Sequence, residues 1–302
     1  MLRMFLIWLG GCIWFFSNMI LQPRKVSNER IFRIGAKTGR FDENAYYRTK
    51  KKRFTILSDY GYYISCELLE PEGECHNQIV ILCHGFSQGK YRSLMFAEIF
   101  LRMGFRAIIY DHRNHGLSGK AYTSMGYYEK FDLKKIVDWC IKNYGRDCKI
   151  VTHGESMGAA TAILHLQIDN RVRCVIADCP YSDLKELLKY QAGRYYHIPI
   201  FLVPLESLIA FLRAGFWFGQ VAPIKVVKET DTPILFIHGK RDRFVPTEMS
   251  VEMYKAKRSK KGLYLVAKAG HAQACAVNKA GYEKVMRRFL EKYSGCVIRN
   301  PL

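Results

Sequence analysis

Ten cysteines occur in the sequence, yet it has no C-x-x-C pair and no Cys/His cluster at zinc spacing. Those absences exclude a zinc module and leave no disulfide framework to read. Cys12 lies in an apolar N-terminal stretch, and Cys66, Cys75, Cys83, Cys140, Cys148, Cys174, Cys179, Cys275 and Cys296 are dispersed. Cys83 and Cys174 fall in apolar strand-like runs, where a free thiol behaves as a small hydrophobe. This usage favours a reducing or anaerobic setting over an oxidising one. An internal repeat and a low-complexity tract are also missing, which removes solenoids and disordered arrays. Acidic side chains are scarce: 27 Asp and Glu face 47 Lys and Arg, a formal net charge of +20. The basic residues are scattered and carry no nucleic-acid module signature, so no nucleic-acid partner is expected. Attraction to anionic lipid headgroups and a generic basic surface are the remaining readings of that charge.

With 302 residues, 49% of them hydrophobic and 25% charged, the chain has the make-up of one globular domain. Residues 4–23 contain no charged side chain and are dense in Phe, Leu, Ile, Met and Trp. About 20 apolar residues suffice to cross a bilayer as a helix. A signal peptide would need small residues at its cleavage site, and Ser17-Asn18-Met19-Ile20-Leu21 supplies a poor one. Leu9-Gly10-Gly11-Cys12 has the look of a lipoprotein box, but Ile13-Trp14-Phe15-Phe16 beyond it is more apolar still. The expectation is an uncleaved transmembrane anchor over residues 1–23 and a single-pass cell-membrane protein. Only Arg3 precedes the span, while Arg24, Lys25, Arg30, Arg33, Lys37 and Arg40 follow it, which leans the rest of the chain to the cytoplasmic side.

Residues 24–52 are basic with little periodicity and read as a linker and lead-in segment. Residues 54–57 and 62–68 form a hairpin signal around a Ser58-Asp59-Tyr60-Gly61 turn. Strand-like runs follow at 79–82, 107–110, 150–152, 172–177, 234–237 and 263–266, with helical runs such as 127–143 and 281–293. Such alternation predicts an α/β fold, a mostly parallel central sheet with helices on both faces, over residues 53–302.

Residues 150–160 read as a strand, then Gly154-Glu155-Ser156-Met157-Gly158, then an Ala-rich helix start. A G-x-S-x-G in that context is a nucleophile elbow: the serine sits on a cramped strand-to-helix turn, and the flanking glycines allow close backbone approach. A serine hydroxyl needs a base, and the base an orienter. Downstream stand His165, His197, His238 and His271. His165 is on the helix after the elbow, His197 lies in an irregular aromatic segment, and His238 closes a strand. His271 follows a late strand across a short turn, where open parallel sheets place their sites. Asp242 stands just past another strand's carboxyl end, between Ser156 and His271 in the chain. Taken alone, Asp242 reads as a helix cap or a partner for Arg241 or Arg243; its place in the order makes it the acid. The oxyanion needs two backbone donors. Met157 N–H, next to the serine, is one. The other is Phe86 N–H, in the loop Cys83-His84-Gly85-Phe86-Ser87, where His84 braces the loop.

Together His84-Gly85-Phe86, the turn Asp111-His112-Arg113-Asn114-His115-Gly116-Leu117-Ser118, the elbow, His238-Gly239-Lys240-Arg241-Asp242 with Val245-Pro246, and Gly270-His271-Ala272 resemble the α/β-hydrolase superfamily. The likeness is to its bacterial, membrane-anchored branch related to fermentation–respiration switch proteins and depalmitoylase-like hydrolases. It covers residues 53–293 and implies esterase, thioesterase, lysophospholipase or peptidase activity with no cofactor and no metal. In that family the Asp111 turn is structural, and Asn114 stands where a Gly is common.

The sheet pattern stops between 177 and 232, where the fold inserts a helical cap, read here as about 181–228. Its apolar runs offer Phe201, Leu205, Phe216 and Trp217 as substrate contacts. Packing on the protein body, or dipping of Phe216, Trp217 and Phe218 into a bilayer, is the other reading of the same residues. The function expected is a membrane-tethered serine hydrolase of carboxylic esters or thioesters with an apolar acyl or aromatic group, a small-molecule or lipid substrate. A serine peptidase is the alternative, ranked second because no acidic cluster for a peptide amine stands out in the cap. A non-catalytic scaffold would show a degraded triad.

Overall fold

Period-two alternation builds the centre of the molecule. In β3 (Gln78–Cys83), Ile79, Ile81 and Cys83 join the core on one side of the sheet, while Val80 and Leu82 join the core on the other. The computed structural model describes residues 2–73, 75–196 and 199–299; side chains at 2–9 and 12 also lie outside the described residues, as does His197. Eight strands form one sheet: β1 (Lys51–Leu57), β2 (Tyr63–Leu69), β3, β4 (Arg106–Tyr110), β5 (Lys149–Glu155), β6 (Val172–Asp178), β7 (Ile234–Gly239) and β8 (Lys261–Val266). Their order is β1-β2-β4-β3-β5-β6-β7-β8. The β1–β2 and β2–β4 pairs are antiparallel and all others parallel. The expected hairpin is present, with Leu57 opposite Tyr63.

Helices cover both faces, as a mostly parallel sheet requires. In chain order they are α1 (Leu2–Leu21), α2 (Asn28–Lys37), α3 (Glu43–Arg48), α4 (Leu94–Arg102), α5 (Glu129–Tyr144) and α6 (Met157–His165). After these come α7 (Leu184–Gln191), α8 (Val203–Ala214), α9 (Pro223–Glu229), α10 (Thr247–Ala256), α11 (Ala274–Val277) and α12 (Lys279–Tyr293). Leu133, Ile136 and Val137 of α5 and Ala159 and Ile163 of α6 pack on one face. Phe96, Ile99 and Phe100 of α4, with Met286 and Leu290 of α12, pack on the other. Between β6 and β7 the chain leaves the sheet to form the cap, α7 to α9.

Two stretches differ from the reading of the sequence. The lead-in segment is helical. Ser27 caps α2 by accepting from Arg30 N–H, and Asp42 caps α3 by accepting from Asn44 and Ala45 N–H. Phe32 then packs against the rings of Phe41, Tyr46 and Tyr91 at centroid distances of 5.1, 5.1 and 5.4 Å. Helices this short are held by caps and by contacts distant in sequence, which periodicity does not report. The N-terminal stretch is helix α1, but among the described residues no single helix is long and apolar enough to cross a membrane. Its last turns pack on protein: Ser17 and Leu21 are buried, and the Leu21 carbonyl accepts from Thr123 N–H at 2.9 Å. The lipoprotein-box cysteine, Cys12, has its side chain outside the described residues.

Candidate active site

Close backbone crossing shapes the turn after β5. A Cβ on Gly158 would lie 2.1 Å from the Cys83 carbonyl oxygen, and one on Gly154 would lie 2.3 Å from the Gly158 backbone. Only glycine fits either position. Ser156 between them has φ +56° and ψ −117°, a strained conformation for a residue with a side chain, and α6 starts at the next residue. Its hydroxyl is thus fixed at the positive end of a helix.

His271 follows β8 on a loop held from below. Arg241 N–H donates to the Ala269 carbonyl at 2.9 Å, and Arg92 Nη2 donates to the Ala272 carbonyl at 3.0 Å. Arg92 is also bidentate to Glu155, at 3.0 and 2.8 Å, so one buried ion pair ties the elbow to the histidine loop. His271 Nε2 lies 3.0 Å from Ser156 Oγ, and its Nδ1 lies 2.7 Å from Asp242 Oδ2. Because a carboxylate only accepts, Nδ1 carries the proton and Nε2 is free to accept from the serine.

Asp242 is buried beyond the end of β7. Its Oδ1 accepts from Phe244 and Val245 N–H, both at 2.9 Å. Burial alone would raise this carboxyl, but hydrogen bonds from His238 and His271 hold it well below the usual carboxylate range. His238 Nε2 lies 3.1 Å from Asp242 Oδ2 and 3.0 Å from the Val245 carbonyl, so it donates, while Nδ1 accepts from Ser250 Oγ at 2.7 Å. His238, which in the sequence only closes a strand, is fully buried and holds the Asp242 carboxylate through this hydrogen bond. The H-G-x-x-D spacing, which sets a histidine four residues before the acid, is the signal that was there to find.

Gly85 places the β3–α4 loop against the elbow, since a Cβ there would lie 3.6 Å from Ser156 Cβ. Among the described residues, neither Phe86 N–H nor Met157 N–H donates to another group. Both are therefore available to an oxyanion at Ser156. His84 Nε2 accepts from His112 N–H at 2.9 Å, bracing that loop as expected. Asp111 accepts from Lys90 and Leu117 N–H, and Asn114 adopts φ +59°, so this turn holds loops together and carries no reacting group.

Cys179 Sγ lies close enough to Asp242 and His271 that one donor atom from each falls within 4.8 Å of the others. This trio suits the hydrogen-bonded pair better than a metal. Asp242 and His271 are committed to one another, and burial raises the Cys179 thiol well above its ordinary value, keeping its proton.

Ser156 opens into a cavity of about 110 Å³. Phe86, Tyr181 and Phe244 line it from the main domain, and Leu187, Leu188, Leu202, Val203 and Phe218 from the cap. Phe16, Met19 and Ile20 of α1 complete the wall. None of Phe201, Leu205, Phe216 and Trp217 lies on it. In α8 the positions 203, 206 and 210 face inward, and Phe201, in the turn that leads into α8, is 76% exposed. Phe216 is fully buried and stacks on Tyr127, and Trp217 stacks on Phe211. Burial of Phe216 and Phe218 also removes both from any bilayer contact. A larger cavity of about 370 Å³, between Tyr127, Lys130, Gln167 and Lys225, contains none of the reacting groups.

One carboxyl interrupts the apolar wall. Glu206 of α8 is buried, its Oε2 has no hydrogen-bond partner among the described residues, and burial raises it to about 7 against an opposing Arg213. Below about pH 7 the group is neutral and tolerates an apolar neighbour; above it a charge stands in the cavity. KM for an apolar ester is therefore expected to rise by about fivefold from pH 6 to 8, ~1 kcal/mol of binding. Glu206→Gln should flatten that rise. A KM–pH slope equal in both chains would rule Glu206 out as its source.

Residues 74–210 match the family described as serine aminopeptidase, S33. The chain is 34% identical over 279 residues to the uncharacterized protein YqkD of Bacillus subtilis (strain 168), covering 91% of each. The esterase Pf2001 of Pyrococcus furiosus shares the fold with a TM-score of 0.70 at 23% identity, over 91% of this chain and 98% of that one. An acylaminoacyl peptidase of Pyrococcus horikoshii aligns with a TM-score of 0.61 at 17% identity, over 83% of this chain and 43% of that one.

Proposed function

The chain belongs to the α/β-hydrolase superfamily, and we propose that it is a serine hydrolase that cleaves carboxylic esters or thioesters through an acyl-enzyme on Ser156. The observation that carries this reading is the chain of contacts from Ser156 Oγ to His271 Nε2 at 3.0 Å and from His271 Nδ1 to Asp242 at 2.7 Å, at the mouth of an apolar cavity. Ser156 Oγ attacks the carbonyl carbon and its proton passes to His271 Nε2. The amides of Phe86 and Met157 take the charge that grows on the carbonyl oxygen. Collapse of the tetrahedral species expels the alcohol or thiol, which leaves with the proton from His271. Water then attacks the acyl carbon, giving one proton to His271, and Ser156 recovers it as the acid departs. The apolar wall supports an apolar acyl group. The apolar make-up of α1 supports a place of work at a membrane surface.

A second reading, a serine peptidase, is favoured by Glu206, whose carboxylate could pair with a substrate amine inside the cavity. Two measurements separate them. A fluorophosphonate is expected to label one site per chain, at Ser156 on peptide mapping, and an unlabelled chain would sink both readings. A p-nitrophenyl ester series from acetate to palmitate, run beside aminoacyl-naphthylamides, then decides between acyl and amine recognition.

A further inference from the structure

Helix α1 is built into the cap. Arg213 of α8 donates to Ser17 Oγ and to Asn18 Oδ1, both at 2.7 Å, and its guanidinium lies 4.1 Å from the centroid of the Trp14 ring. The carboxyl end of α1 is pinned as well. Asn114 Nδ2 donates to the Leu21 carbonyl at 3.4 Å, and Lys25 Nζ donates back to Asn114 Oδ1 at 3.2 Å. The asparagine that stands where the family commonly has glycine thus holds the end of α1. Through these contacts α1 and α8 act as one unit with two apolar faces.

The inner face bounds the Ser156 cavity: Phe16, Met19 and Ile20 stand on α1, and Val203 and Glu206 on α8. Among the described residues, the outer face is apolar without protein cover. Phe201 is 76% exposed, Leu212 69%, Phe211 40% and Trp217 39%, with Trp14 at 57% and Phe15 at 59% beside them on α1. Exposed apolar area this concentrated marks an interaction surface. Charge identifies the partner. Exposed Arg24 and Lys25 follow α1, and exposed Arg194, Arg241 and Arg243 stand near the cavity, where Tyr195 donates to the Arg243 carbonyl and Phe244 lines the wall. Of the acids in residues 183–214, Asp183 caps α7, Glu186 pairs with Lys189, and Glu206 is buried. An exposed apolar face, with exposed cations that make no ion pair among the described residues, matches an anionic bilayer.

We propose that the outer face shared by α1 and α8 docks on an anionic lipid bilayer, and that the acyl chain of a bilayer lipid reaches Ser156 between these two helices. The acyl part of this proposal rests on the ester-hydrolase reading above. Helix α1 is then a specificity element as well as an attachment.

The test uses the full chain. Outer-face docking is read by flotation with phosphatidylcholine vesicles, with and without phosphatidylglycerol. Phe201→Glu combined with Leu212→Glu is expected to lower co-flotation with the anionic vesicles by about tenfold. Inner-face selectivity is read as the decanoate-to-acetate ratio of kcat/KM. Ile20→Trp, which fills the cavity from α1, should lower this ratio by about tenfold, and Ile20→Ala should raise it. Fluorophosphonate labelling of each variant reports that it is folded. Flotation unchanged by the two glutamates overturns the docking surface, as does equal flotation on both vesicle types. A dimer in solution that Leu212→Glu dissociates assigns the face to a second copy and overturns it too. An unaltered chain-length ratio in both Ile20 variants, with the wild type labelled, overturns the acyl path and leaves the hydrolase reading standing. A wild type that is not labelled ends that reading and the acyl path together, and flotation alone then decides the docking.

Discussion

Ser156→Ala is expected to lower kcat for p-nitrophenyl acetate by about 10⁴-fold or more and to abolish fluorophosphonate labelling. Among the described residues, no other group near the site can take over the attack. The Cys179 thiol is fully buried and kept protonated by its surroundings, and the next serine in the chain, Ser182, is buried as well. What survives is the field of the two amides and the binding cavity, which act on a carbonyl whatever attacks it. The variant should fold. Among the described residues, the Ser156 hydroxyl hydrogen-bonds only to His271, which is itself part-exposed, so deletion leaves no buried group stranded. Alanine meets the same left-handed backbone that serine already occupies. A melting temperature within about 3 °C of the wild type is expected, the scale of a surface substitution. Wild-type-like turnover in Ser156→Ala would remove the serine mechanism, whatever the labelling result.

The contrast between what could be read ahead and what could not follows the range of the interactions. Parallel strands buried on both faces announce themselves as short apolar runs, and β3, β4, β6 and β7 lie within two residues of where those runs predict them. Ser156 was legible because its constraint is local: Gly154 and Gly158 each meet backbone within a few residues or on the adjacent strand. His271 and Asp242 needed the sheet as well, since only strand-end position and chain order pointed to them. Contacts across about 200 residues left no local trace. Arg213 with Ser17 and Asn18, and Arg92 with Ala272, are of this kind. The cap shows the limit in another way. Its apolar composition identified the segment, but the rotation of α8 decides that Val203 and Glu206 face the cavity while Leu208 and Leu212 face out. Apolar pattern does not reveal that rotation when both faces are apolar. The contacts of the last turns of α1 with the protein are equally absent from its apolar pattern, which read as a membrane anchor.

Asp242→Asn is expected to cost about 10⁴ in kcat with little change in KM, because it alters which nitrogen of His271 carries the proton. Asparagine is nearly the same shape, and its carbonyl can keep the Oδ1 position, where Phe244 and Val245 N–H both donate. The amide NH2 then takes the place of Oδ2. There it faces His271 Nδ1 and His238 Nε2, both of which donate in the wild type. His238 has little freedom to switch, since its Nε2 also serves the Val245 carbonyl and its Nδ1 accepts from Ser250. His271 therefore yields: Nδ1 becomes the acceptor, Nε2 carries the proton, and the side facing Ser156 Oγ can no longer remove one. Stability should separate the two chains by pH. The Asp242 carboxyl is held below its ordinary value of 3.8, so its ionised form contributes to stability in full above about pH 4. That contribution is lost as the pH falls through the lower folded value. Thermal melts should accordingly place the wild type above Asp242→Asn near pH 7, with the gap closing only in strong acid. A variant that keeps wild-type kcat, or a gap that closes already between pH 7 and 5, would show that Asp242 is not the group that orients His271.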